Sequence, residues 1–123
     1  MKAEELRIGN VIMLDSESEG IITEIRSNHC KVIYYGEVNG EVGQRFSLIP
    51  FERIFPIPIN DQWFIDFEFK GNQFSISKGN FRYDKKNKIL TWYGIHLLDS
   101  LWNEVHKLQN LHFALTGQEL TIK

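Results

Sequence analysis

The stretch Val105-His106-Lys107-Leu108-Gln109-Asn110-Leu111-His112-Phe113-Ala114-Leu115-Thr116-Gly117 decides the fold. Leu101, Val105, Leu108, Leu111 and Leu115 recur at three- and four-residue steps, so on a helix they share one face. Gly117 follows the last periodic residue, where a left-handed C-cap is wanted. The spacing predicts a helix over about 101–116, with Asp99 or Ser100 capping an early start and Asn103 a late one. An apolar stripe of that length needs a surface to dock on, and the residues upstream supply one. Turn signals at Lys70-Gly71-Asn72, Lys78-Gly79-Asn80 and Asp84-Lys85-Lys86-Asn87 separate Phe74-Ser75-Ile76, Phe81-Arg82-Tyr83 and Ile89-Leu90-Thr91-Trp92-Tyr93. That pattern is an antiparallel meander. After the helix, Gln118 to Lys123 reads as a final edge strand.

Further upstream the period shortens. Leu6 to Leu14, interrupted at Gly9-Asn10, reads as a strand, and Ile21–Arg26, Cys30–Tyr35 and Arg45–Ile49 as three more. Gly36 to Gly43 reads as a flexible hairpin tip. Short strands at this spacing imply a small curled antiparallel sheet, with an SH3-like barrel as the expected shape. Pro56 and Pro58 make Phe55-Pro56-Ile57-Pro58-Ile59 extended and mark a joint between residues 1–55 and 56–123. Asn60 suits an N-cap for a short helix bearing Trp63, Phe64 and Phe67. The alternation Trp63, Ile65, Phe67, Phe69 also fits a strand, and the cap favours the helix. The expected fold is therefore α+β: curled sheet, joint, short helix, meander and packed closing helix. Its core should hold Ile8, Val11, Ile22, Ile25, Val32, Trp63 and Phe67 together with the helical stripe.

The chain has 123 residues, 42% apolar and 24% charged, with a formal net charge of −2. That composition is ordinary for a globular protein and provides no global basic field for nucleic acid or membrane. The acidic start Met1-Lys2-Ala3-Glu4-Glu5 is not a signal peptide, and no apolar run approaches the ~18 residues of a membrane helix. The lone Cys30 reads as a reduced thiol within a strand, which points to the cytoplasm.

Few groupings carry chemistry. Asp15-Ser16-Glu17-Ser18-Glu19-Gly20 copies the opening of a calcium loop, but Arg26 occupies the twelfth position, where a bidentate carboxylate belongs. A solvated acidic turn is the simpler reading. Lys78, Arg82, Lys85, Lys86 and Lys88 interleave with Phe81, Tyr83, Trp92 and Tyr93, a combination that single-strand nucleic-acid binding uses if rings and charges share a face, with Tyr83 and Trp92 the rings singled out for contact. The alternative is an exposed basic turn flanked by core aromatics. His106, Gln109 and Asn110 are the helix residues best able to contact a partner, though they serve equally to tie the helix to the sheet. His106 and His112, six apart, cannot chelate together. Asp15, Glu17, Glu19, Asp61, Asp66 and Glu68 support a metal-dependent hydrolase only if at least two converge. No motif calls for a cofactor. Trp92, Tyr93 and Trp102 are candidates for self-association if exposed.

The order of motifs carries a resemblance. Leu6-Arg7-Ile8-Gly9-Asn10, Pro56-Ile57-Pro58-Ile59 with Trp63, and Val105-His106-x-Leu108-Gln109-Asn110-Leu111-x-Phe113-Ala114-Leu115-Thr116-Gly117-x-Glu119-Leu120 together resemble a family of small uncharacterised proteins of phages, prophages and mobile elements in Bacteroidota. The resemblance implies a setting and no mechanism. It transfers no functional residue, and residues 71–99 lie outside its motifs. The expected function is a non-enzymatic binding or accessory module, with a protein partner favoured over nucleic acid.

Overall fold

The computed structural model describes residues 1–15 and 18–122. Two five-stranded antiparallel sheets share the chain. The first is built from β1 (Val11–Leu14), β2 (Glu19–Ile25), β3 (His29–Val38), β4 (Glu41–Pro50) and β5 (Ile54–Phe55), in the order β4-β3-β2-β1-β5. The sheet is open, with no pairing between β4 and β5. The second has the order β10-β9-β8-β7-β6, from β6 (Lys70–Gly71), β7 (Ser75–Lys78), β8 (Phe81–Asp84), β9 (Ile89–Trp92) and β10 (Ile95–Leu97). Helix α1 (Asp61–Asp66) joins the sheets, and α2 (Val105–Thr116) closes the fold. Among the described residues, no helix is long and apolar enough to cross a membrane.

The joint works as anticipated. Asn60 Oδ1 accepts from the Trp63 amide at 3.2 Å, so the short helix wins over the strand. Its burial explains the choice. Phe64 stacks on Tyr83 with ring centroids 3.9 Å apart and meets Trp102 edge-on, which a two-residue period would not allow.

Other elements shift. The first strand is confined to Val11–Leu14, because Gly9 sits at φ 95° and Arg7 donates its amide to Asn10 Oδ1 in a turn. Ile8 is consequently exposed rather than in the core. Residues 36–43 are not a loose tip. β3 and β4 run through both glycines to a two-residue turn at Asn39-Gly40, both with positive φ, the type I′ geometry that Asn-Gly specifies. The closing helix begins at Val105. Its N-cap, Glu104, makes no side-chain cap bond, because the extended proline joint does that work: the Ile57 carbonyl accepts from the Val105 amide at 2.8 Å. Residues 99–101 form a separate 3-10 turn, which leaves Leu101 exposed. Gly117 adopts φ 74° as the C-cap, its amide donating to Phe113. Residues 118–122 form no strand; Leu120 is buried in the core instead.

Two apolar clusters result. The larger gathers Phe64, Phe67, Phe81, Leu90 and Leu108, and includes Val11 from the first sheet. Leu111 and Leu115 are half-buried against it. The smaller lies on one face of the first sheet around Ile12, Ile22, Cys30, Val32 and Ile54, with Ile25 at its margin. Burial pushes the Cys30 thiol up to about 11, as a structural thiol requires.

Candidate functional site: the free edge of the first sheet

The polar residues of α2 face inward. Gln109 is buried, its Oε1 accepting from the Val11 amide at 2.8 Å and its Nε2 donating to the Gly9 and Leu120 carbonyls at 3.0 and 3.1 Å. Asn110 accepts from Asn10 Nδ2 and donates to the Glu5 carbonyl. His106 is also buried, and neither ring nitrogen has a partner. Of the three, Gln109 and Asn110 are committed to holding the N-terminal sheet against α2.

The basic hairpin divides by face. On β8, Phe81 and Tyr83 point into the core while Arg82 points out, donating to Ser75 Oγ. Tyr83 is 2% exposed and Trp92 only partly exposed, both on the opposite face from Arg82. Lys78 donates to the Phe67 carbonyl and lies 3.6 Å from Glu68. Lys88 pairs with Asp61 at 2.7 Å. Lys85 and Lys86 sit in the β8–β9 turn, where Asp84 Oδ1 accepts from the Lys86 amide. The shared face of rings and charges that single-strand binding needs is thus missing for Tyr83.

Asp61 opens a cleft of about 680 Å³, beside Asn60, Gln62, Asp99, Trp102 and Asn103. The Lys88 bond, ahead of the Tyr83 hydroxyl bond at 2.7 Å, holds the Asp61 carboxyl below its usual range. Burial, then the Asp61 bond, pushes the Tyr83 phenol up. Ionised carboxylate, protonated phenol and ammonium therefore satisfy one another and tie α1 to the meander. The remaining acids do not join them. Asp15 pairs with Arg53, and Asp66 accepts from Gln62. Among the described residues, no three His, Cys, Asp or Glu side chains gather as a metal site would require. Glu17 and Ser16 of the calcium-like loop lie outside the described residues. Trp102 is buried with its Nε1 donating to the Leu97 carbonyl, so its ring offers no self-association surface.

The most distinctive exposed feature was not singled out by sequence reading. β4 is a ten-residue strand at the edge of its sheet. In a two-residue hairpin the residues flanking the turn form a hydrogen-bonded pair, and the pattern alternates from there. Val38 opposite Glu41 therefore sets Gly43, Arg45, Ser47 and Ile49 to bond β3. Val42, Gln44, Phe46 and Leu48 aim their amides and carbonyls at solvent. The same residues expose apolar side chains: Val42 is 74%, Phe46 58% and Leu48 51% exposed. Edges of this kind are normally blunted by lysine, proline or a bulge. Here the only charged residues of β4, Glu41 and Arg45, are on the inward-bonding set, and Pro50 lies at its end. Arg45 Nε is buried without a partner, and Nη1 makes a single long bond, 3.4 Å, to the Gln44 carbonyl. The alternation Val42-x-Gln44-x-Phe46-x-Leu48 was the signal available in the sequence.

No protein-family model, curated protein or solved structure matches the chain.

Proposed function

We propose that this protein is a non-enzymatic binding or accessory module that takes an extended segment of a partner protein along β4, adding it as a sixth strand. The carrying observation is the coincidence on Val42, Phe46 and Leu48 of outward-facing backbone groups and exposed apolar side chains, with the Gln44 amide facing outward between them. Backbone pairing provides affinity and alternate side chains provide selectivity in this mode of recognition. The chemistry of the segment follows from β4. Apolar residues belong at alternate positions, over Phe46 and Leu48, and a carboxylate belongs opposite Arg45, whose Nη1 makes one long bond, to the Gln44 carbonyl.

A second copy fits less well. The antiparallel register that pairs all four outward residues sets Val42 against Leu48 and Gln44 against Phe46, and so places Arg45 directly opposite its counterpart. Like charges facing each other across strands are destabilising. The motif resemblance at both ends and the middle supports a phage or mobile-element setting, and the reduced buried cysteine supports the host cytoplasm. Single-strand nucleic-acid binding through the 78–93 hairpin has weaker support, since Tyr83 is buried, Arg82 lies on the face opposite the rings, and Lys78 and Lys88 are engaged by Glu68 and Asp61. For metal-dependent hydrolysis, no three His, Cys, Asp or Glu side chains gather among the described residues.

A displayed library of extended peptides, selected on the immobilised protein, tests the proposal. Enriched sequences should alternate apolar residues around one Asp or Glu. Their binding should fall about tenfold or more in Gln44→Pro, which removes an outward amide while leaving the inward ladder and the melting curve intact. Failure to enrich any sequence, or full binding by Gln44→Pro, overturns it. A dimer that Gln44→Pro dissociates would assign the edge to a second copy instead.

A further inference from the structure

The strongest unassigned feature lies on the second sheet, far from β4 in the chain. At the tip of the β9–β10 hairpin, Tyr93 and Gly94 form a two-residue turn, with Tyr93 at φ 51°. A type I′ turn wants Asn, Asp or Gly there, and a bulky residue in the left-handed region costs on the order of 1–2 kcal/mol. The tyrosine is not repaid by burial, because it is 65% exposed. Its ring instead meets Trp92 edge-to-face, centroids 4.8 Å apart, at the rim of a cleft of about 390 Å³. That volume falls within the range of small-molecule sites, roughly 300–1,000 Å³.

The rest of the cleft is polar and short of free charge. His112, from α2, lines it and is 5% exposed, its ring stacked on Phe81. His112 Nδ1 lies 2.9 Å from the Gln118 carbonyl, which can only accept, so Nδ1 bears the proton and Nε2 is left an acceptor with no protein partner. Burial, chiefly, keeps the ring neutral, against the pull of that carbonyl. Asn80, Thr116 and Gln118 also line the cleft, and no carboxylate does. Lys78, its one cation, is engaged by the Phe67 carbonyl and by Glu68.

An exposed aromatic face beside neutral donors and acceptors suits a neutral ligand with apolar C–H faces and many hydroxyls. We infer that this cleft binds a neutral saccharide, one sugar ring lying against Tyr93 with its hydroxyls shared between His112 Nε2 and the side-chain amides of Asn80 and Gln118. The C–H face of a sugar complements the electron-rich ring face. A nucleotide fits less well, because its phosphate would need a cation that Lys78 does not have to spare. The hydroxyl-rich class also explains why the turn keeps a strained tyrosine: the ring is worth more at the rim than a relaxed turn.

The test is a titration of the full chain with glucose, galactose, mannose and N-acetylglucosamine, followed by amide nitrogen–proton spectra. At least one sugar should shift the amides of Gly79, Asn80, Tyr93 and Gly94 at millimolar concentration. Tyr93→Asn, which suits the turn, should raise the melting temperature and weaken binding about tenfold or more, while Tyr93→Trp should retain binding. No shift with any sugar overturns the inference, as does undiminished binding by Tyr93→Asn. Shifts at these amides with oligothymidylate and not with sugars would assign the cleft to a nucleobase and overturn it equally. Because β4 takes no part, peptide selection and sugar titration fail independently.

Discussion

At the residue scale, His106 is the position where the fold carries its clearest cost. A buried imidazole with neither nitrogen paired gives up hydration without a compensating bond. Burial, ahead of the opposing pull of Glu104 and Glu5, lowers its pKa from the usual 6.5. The folded state thus prefers the neutral ring, so its contribution to stability is intact above about pH 6.5 and is lost as pH falls below that value. His112, lowered for the same leading reason, adds to the same acid limb. His106→Leu, similar in size and without polar atoms, should raise the unfolding free energy from a urea titration at neutral pH by about 1–2 kcal/mol and shallow the loss of stability below pH 6.5. An unchanged acid limb in that variant would show that His106 does not set it.

At the element scale, α2 is the best-read part of the chain. Its stripe and C-cap follow from local spacing, and Leu108 is 1% exposed as the stripe requires. Leu108→Ala should cost roughly 2–5 kcal/mol in a denaturant titration, and a near-wild-type midpoint would remove the helix from the core. The start of α2 was illegible because its cap is tertiary: a carbonyl from residue 57 takes the amide that sequence reading assigned to Asp99, Ser100 or Asn103. The long hairpin was missed for a different reason. Gly36 and Gly43 drew attention as breakers, whereas Asn39-Gly40 holds the actual turn and both glycines are paired within strands. For the candidate sites, residue type was visible and direction was not. Tyr83 and Arg82 are neighbours on one strand, and only the sheet's packing reveals which of them solvent can reach.

At the scale of the whole molecule, the division at residue 55 marks a change of sheet more than a change of body. Val11 belongs to the larger cluster, Gln109 bonds backbone on both sides of the joint, and the Arg7–Glu119 ion pair closes over the same seam at 2.5 Å. Exposed, that pair adds little by itself, but the buried amide bonds cannot be broken singly without orphaning their partners. Thermal unfolding should therefore be one transition, with calorimetric and van't Hoff enthalpies equal. Two resolved transitions would make the halves independent.

The wiring of Gln109 also sets an order of events during synthesis. Its partners are at positions 9, 11 and 120, so the amide cannot complete its circuit until the far end of this sequence has emerged. The first sheet is synthesised before α2, so β4 is exposed and the sheet unlatched until that helix is made. The latch closes only once residue 120 is available to it, so anything that recognises β4 during synthesis meets the strand before Gln109 has all three of its partners.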